Sequence, residues 1–86
     1  MFVILAYDVN QKRVSKVMKI CRKYLVHVQK SVFEGILTEG KLQALKRDLK
    51  KVIDVETDGV CIYSTASTSY FLKEELGVVE DNSNII

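Results

Sequence analysis

Asp8 is the only acid among the first 33 residues, and it closes the apolar run Phe2-Val3-Ile4-Leu5-Ala6-Tyr7. A carboxylate at the end of an apolar strand can face solvent at a sheet edge. A hard divalent cation such as Mg²⁺ (or Mn²⁺) takes one or two carboxylates and keeps most of its waters. In a symmetric homodimer two copies of Asp8 can converge across the axis, and an ion held there could activate water and stabilise phosphoryl charge. The plainer role for Asp8 is a strand-end acid leading into a helix. Arg13 follows within the first turn of that expected helix. Its planar fork suits phosphate oxygens, although a solvated helix arginine is the commoner case. Tyr7 could hydrogen-bond a phosphate, but its default role is half-buried packing. Phe33 is more often core or interface packing than a base-stacking platform.

As a group, the cations say more. Lys12, Lys16, Lys19, Arg22 and Lys23 occupy one side of the expected first helix with no acid among them. Such a helix gives up the usual i,i+4 ion pairs. Its self-repulsion is relieved where phosphates neutralise it, and a simply solvated basic helix is the alternative. Residues 1–53 carry twelve Lys/Arg against four acids, while residues 54–86 carry Lys73 against seven acids. The net charge of +2 therefore hides a basic portion and an acidic one. Neither an RNP-like aromatic motif, a Gly-rich phosphate loop nor zinc-finger spacing is present, so backbone-directed binding fits better than base readout.

Other chemistries lack their residues. His27 is the single histidine, which removes Ser-His-Asp and Cys-His catalysis and leaves a four-ligand zinc site short. It is expected at a helix C-terminus or on the surface. Cys21 and Cys61 have no CxxC spacing and read as two buried, reduced hydrophobes.

These side chains need a scaffold of one small domain: 86 residues, 48% hydrophobic, with no proline. Phe2 to Val9 reads as a central strand. Asn10 caps a helix in which Val14, Val17, Met18, Cys21 and Leu25 form the apolar stripe. Val28 to Leu37 reads as one strand. Lys41 to Val52 is a second helix burying Leu42, Leu45, Leu49 and Val52, with Lys46, Arg47, Lys50 and Lys51 outside. Thr57-Asp58-Gly59 is a turn into a strand from Val60 to Tyr63. Ser64 to Ser69 reads as a polar loop and Tyr70 to Leu76 as a last strand.

The expected fold class is α+β, a ferredoxin-like antiparallel sheet in the order β-α-β-α-β-β with two helices on one face. Residues 1–78 form the domain and 79–86 a C-terminal tail. Phe2, Ile4, Ala6 and Asp8 point to one side of the first strand, and Val3, Leu5, Tyr7 and Val9 to the other. Both sides are apolar, yet two short helices bury only one, so a homodimer is expected over the uncovered face. Asn84-Ile85-Ile86 could add a strand to a partner. No apolar run approaches the ~20 residues of a membrane span. Met1 to Asp8 is unlike a signal peptide, so the expected compartment is the cytoplasm.

At this point the residues resemble a known family, the small CRISPR-associated endoribonucleases. The resemblance is carried by Ala6-Tyr7-Asp8-Val9, Lys12-Arg13-Val14, Lys16-Val17, Tyr24-Leu25, and Val28-Gln29-Lys30-Ser31-Val32-Phe33-Glu34-Gly35. Asp58 to Tyr63, and Gly77 followed by the Asn-Ile tail, fit as well. It covers nearly the whole chain and departs at Ser15 and Gln29, where some relatives carry arginine. It implies a ferredoxin-like homodimer and a Mg²⁺- or Mn²⁺-dependent nuclease on single-stranded RNA or duplex DNA. It further implies a heteromeric spacer-adaptation complex with the CRISPR integrase subunit. Asp8 matches the family's metal-binding aspartate, and Arg13 its early-helix arginine and Phe33 its strand phenylalanine, both linked there to activity or assembly, so the expected catalytic set is Asp8, Arg13, Tyr7 and Phe33. The readings left open are a metal-dependent phosphodiesterase, a non-catalytic duplex-DNA scaffold bridging integrase dimers, a small-ligand regulatory module, and a toxin-type ribonuclease.

Overall fold

The computed structural model describes residues 1–66 together with Glu74 and Leu76. Its elements are β1 (Phe2–Asp8), α1 (Gln11–Tyr24), β2 (Val26–Gln29), β3 (Val32–Ile36), α2 (Glu39–Lys50) and β4 (Gly59–Thr65). The strands form one antiparallel sheet in the order β2-β3-β1-β4, so β1 is central as its apolar run requires. This is the ferredoxin-like α+β fold. β1 pairs with β3 from Phe2↔Ile36 to Ala6↔Val32, and with β4 from Phe2↔Thr65 to Asp8↔Gly59.

One face of the sheet meets both helices. Val3, Leu5 and Tyr7 of β1 and Phe33 of β3 pack with Val17 and Cys21 of α1 and Leu42, Leu45 and Leu49 of α2. The apolar stripes of the two helices are thus spent on a single side of the sheet. Each helix starts at a capping side chain: Asn10 accepts from the Lys12 amide, and Thr38 from the Lys41 amide. The helices are also tied to each other, the Tyr24 hydroxyl donating to Asp48 Oδ2 at 2.7 Å.

The structure corrects the expected order. Val28 to Leu37 is not one strand. It divides into the β2–β3 hairpin, joined by Lys30 and Ser31, so the order is βαββαβ. Lys30 takes a positive φ of 41°, which a two-residue hairpin turn needs but which lysine seldom adopts. The Asn-Gly signal for such a turn is absent. His27 is also relocated, from a helix end or surface to β2, where it is buried against the Phe33 ring. Cys21 is buried as expected, but Cys61 is exposed because it falls on the side of β4 turned away from both helices. α2 begins and ends two residues earlier than expected, and Ser64 and Thr65 continue β4. The expected strand from Tyr70 to Leu76 and the tail lie, apart from Glu74 and Leu76, outside the described residues.

Candidate nucleic-acid and metal site

Asp8 ends β1 with an exposed side chain. Its backbone is held in register opposite Gly59, while among the described residues nothing hydrogen-bonds its carboxylate. A shallow groove of about 350 Å³ runs past it, lined by Ala6, Tyr7, Asp8, Gly59, Val60 and Cys61. By strand alternation Asp8 shares its side of β1 with Phe2, Ile4 and Ala6. Their cross-strand neighbours Ile36, Glu34 and Val32 of β3 and Thr65, Tyr63 and Cys61 of β4 extend this face, on which Ile36 is 72% and Tyr63 61% exposed.

Arg13 lies elsewhere than in an exposed cation row. Its Nε and Nη2 donate to Asp58 Oδ2 and Oδ1 at 2.6 and 3.0 Å, a bidentate pair. The Asp58 carboxylate also accepts the backbone N–H of Asp54 and that of Asn10, each at 2.9 Å. The Arg13 fork and then the Asp54 amide hold this carboxyl far below the usual carboxylate range. With its side chain 1% exposed, Asp58 joins the start of α1 to the entry of β4. Sequence reasoning placed it in a turn and at the start of the strand that shares in the resemblance, without a partner. An aspartate 45 residues from Arg13 carries no local signal of that pairing.

Tyr7 and Phe33 are core residues, their ring centroids 6.3 Å apart on the helix side of the sheet. Burial raises the Tyr7 phenol above its ordinary pKa. From there neither ring lies on the surface where a nucleic acid would rest, and a part in chemistry would run through the placement of β1 and β3. Lys12, Lys16, Lys19, Arg22 and Lys23 are all exposed. The 4-3-4 spacing of the four lysines aligns them along the side of α1 opposite its buried Val17 and Cys21. The lysine row and Asp8 therefore belong to opposite sides of the sheet.

No cluster of three or more His, Cys, Asp or Glu suited to a metal occurs among the described residues. The exposed Asp8 carboxylate nevertheless fits a weakly held Mg²⁺ or Mn²⁺, which needs one or two carboxylates and otherwise keeps water. Asp58 does not fit that role, because its oxygens are turned inward and already accept four hydrogen bonds.

The family model for CRISPR associated protein Cas2 matches residues 1–72. The chain belongs to the Cas2 family. A Cas2 relative from Thermotoga maritima, named a CRISPR-associated endoribonuclease, is 46% identical over 86 residues, covering 100% of this chain and 99% of its own. One of the same name from Methanosarcina acetivorans is 41% identical over 87 residues, covering 100% of each. A solved structure described as Cas2 matches with a TM-score of 0.83 at 40% identity, covering 96% of this chain and 91% of that one. Streptococcus pyogenes Cas2 at pH 6.5 matches with a TM-score of 0.77 at 34% identity, covering 90% and 100%. Among the described residues of this Cas2-family chain, no helix is long and apolar enough to cross a membrane.

Proposed function

We propose that this chain is a CRISPR adaptation protein that works as a cytoplasmic homodimer. It cleaves phosphodiester bonds in single-stranded RNA or duplex DNA, with Asp8 as the residue that holds a divalent cation. The observation that carries this reading is the exposed Asp8 carboxylate at the end of a central strand, which nothing hydrogen-bonds among the described residues, on a largely apolar sheet face that also carries Glu34 and Thr65 and that no described element covers. Joining two such faces removes exposed Ile36 and Tyr63 from water and brings the two Asp8 residues toward the twofold. The names of the relatives support an endoribonuclease.

When bound at the Asp8 pair, Mg²⁺ would supply Lewis acidity toward the phosphoryl group. The chain's own part is to grip polyphosphate through the lysines of α1 and to hold Asp8 in place from β1 and β4. The C-terminal tail, residues 79–86, would add a strand to a partner, either the second copy or the integrase subunit.

A specific observation favours a second reading, a non-catalytic duplex-DNA scaffold that bridges integrase dimers. The lysine row and Asp8 face opposite sides of the sheet, so the strongest phosphate grip of one chain is separated from its own carboxylate. The experiment compares full-length wild type with Asp8→Asn on single-stranded RNA and duplex DNA in Mg²⁺, with dimer mass measured by sedimentation. The first reading expects loss of cleavage with the dimer intact. Equal cleavage by the variant rejects it, and retained spacer acquisition in cells carrying Asp8→Asn transfers the cellular role to the scaffold.

A further inference from the structure

The geometry points to Asp58 as the positioning residue for Asp8. This rests on the reading of Asp8 as the acid that holds the divalent cation. Asp8 has no side-chain partner of its own among the described residues, so its direction is set by the backbone on either side of it. Upstream, the β1 ladder holds it opposite Gly59. Downstream, the Asn10 N–H donates to Asp58 Oδ1 at 2.9 Å, fixing the chain two residues past Asp8. The same Asn10 caps α1, and α1 carries the Arg13 fork that returns to Asp58.

One buried carboxylate thus closes a loop of contacts around Asp8. It holds the β1–α1 turn through Asn10, the first turn of α1 through Arg13, and the approach to β4 through the Asp54 N–H at 2.9 Å. Gly59, the next residue after Asp58, is the one paired with Asp8. Asp58 thus stands one residue from the ladder partner of Asp8 yet is excluded from the cation site. Its charge is neutralised by Arg13, and its oxygens already accept four hydrogen bonds. Arg13 accordingly acts on the site through Asp58 and not by gripping phosphate.

The test uses the full chain and Mn²⁺ as the probe, with affinity read by water-proton relaxation. It is accompanied by RNA binding, by cleavage in a Mg²⁺ titration and by exchange of the Asn10 amide. Asp8→Asn is run first; continued cleavage and Mn²⁺ binding by that variant defeat the reading of Asp8 itself. With Asp8 shown to matter, Asp58→Asn is expected to weaken Mn²⁺ roughly tenfold, the usual order for a residue that supports a metal ligand. The Mg²⁺ midpoint should rise in parallel, Asn10 exchange should quicken, and RNA affinity should stay within about twofold.

A folded Asp58→Asn protein with Mn²⁺ affinity and Mg²⁺ midpoint unchanged overturns the inference, because a merely stabilising contact would alter only the folded fraction. Should Asp58→Asn not fold, Arg13→Lys keeps the charge but loses the fork. A threefold or greater weakening of Mn²⁺ by that variant supports the inference, and unchanged affinity refutes it.

Discussion

The His27 imidazole stacks on the Phe33 ring with centroids 4.7 Å apart and planes 24° from parallel, and its Nε2 lies 2.5 Å from the Lys30 carbonyl oxygen. This joins the β2–β3 turn, with its positive φ at Lys30, to the centre of the core. Phe33 is fully buried, so its role is tested by separating stability from activity. Phe33→Ala is expected to cost about 3–5 kcal/mol in urea unfolding. Phe33→Leu should cost less and retain wild-type cleavage per folded molecule. Loss of cleavage by a fully folded Phe33→Leu would instead give the ring a direct part in activity.

Gly35 marks the tightest crossing of β3 by the chain leaving α1. A Cβ at this position would lie 3.1 Å from Leu25 Cδ2 and 3.6 Å from Leu25 Cα. Leu25 is itself buried and has little room to move. Gly35→Ala is expected to destabilise by about 1–2 kcal/mol through overpacking. Gly59→Ala should be milder, since its nearest neighbour, the Asp8 carbonyl oxygen, is 3.9 Å away. Urea midpoints of the two variants check the order.

Replacing Lys12, Lys16, Lys19 and Lys23 together by Gln should flatten the salt dependence of duplex binding. Each lost phosphate contact removes about 0.9 from the slope of log K against log salt, so the change is up to about 3–4 if all four touch phosphate. Filter-binding titrations between low and physiological salt measure it. An unchanged slope would make α1 a solvated helix and remove the lysine row from the interface.

The two cysteines should separate by reactivity. Burial pushes the Cys21 thiol from its ordinary 9.0 up to about 12, whereas Cys61 is exposed on the open face. Iodoacetamide at pH 8 is expected to modify Cys61 alone in dilute protein, where the open face is not covered by a second copy, and both thiols after unfolding. Concentration-dependent protection of Cys61 would place it within the homodimer contact.

Cys21 and Asp58 also set opposite pH limits on stability. The Cys21 thiol is kept neutral in the fold, so its contribution is complete below 9 and falls as pH rises toward about 12. The Asp58 pKa is lowered, so its contribution is complete above the ordinary 3.8 and is lost as pH falls through its folded value. Melting temperatures should therefore decline on both sides of neutrality. Cys21→Ala should flatten the alkaline limb and Asp58→Asn the acid limb.

Much of the scaffold was legible from neighbouring residues. The apolar run ending at Asp8 specified a central strand, the spacing of Val17, Cys21, Leu42, Leu45 and Leu49 specified two one-sided helices, and Asn10 marked a cap. These signals are written within a turn or two of chain, where helix and strand periodicities operate. The exposed Asp8 and the lysine row followed from the same local patterns.

What only the tertiary structure decided depends on register between distant segments. The hairpin turn at Lys30-Ser31 lacks the usual turn residues and is held by His27, which reaches the Lys30 carbonyl across the turn. Cys61 is exposed because its place in β4 opposite Ala6 turns it away from the helices. Arg13 meets Asp58 because the β1–β4 ladder brings residues 45 positions apart to the same end of the sheet. That pairing is a matter of strand alignment and burial, neither of which is encoded in the residues adjacent to either partner.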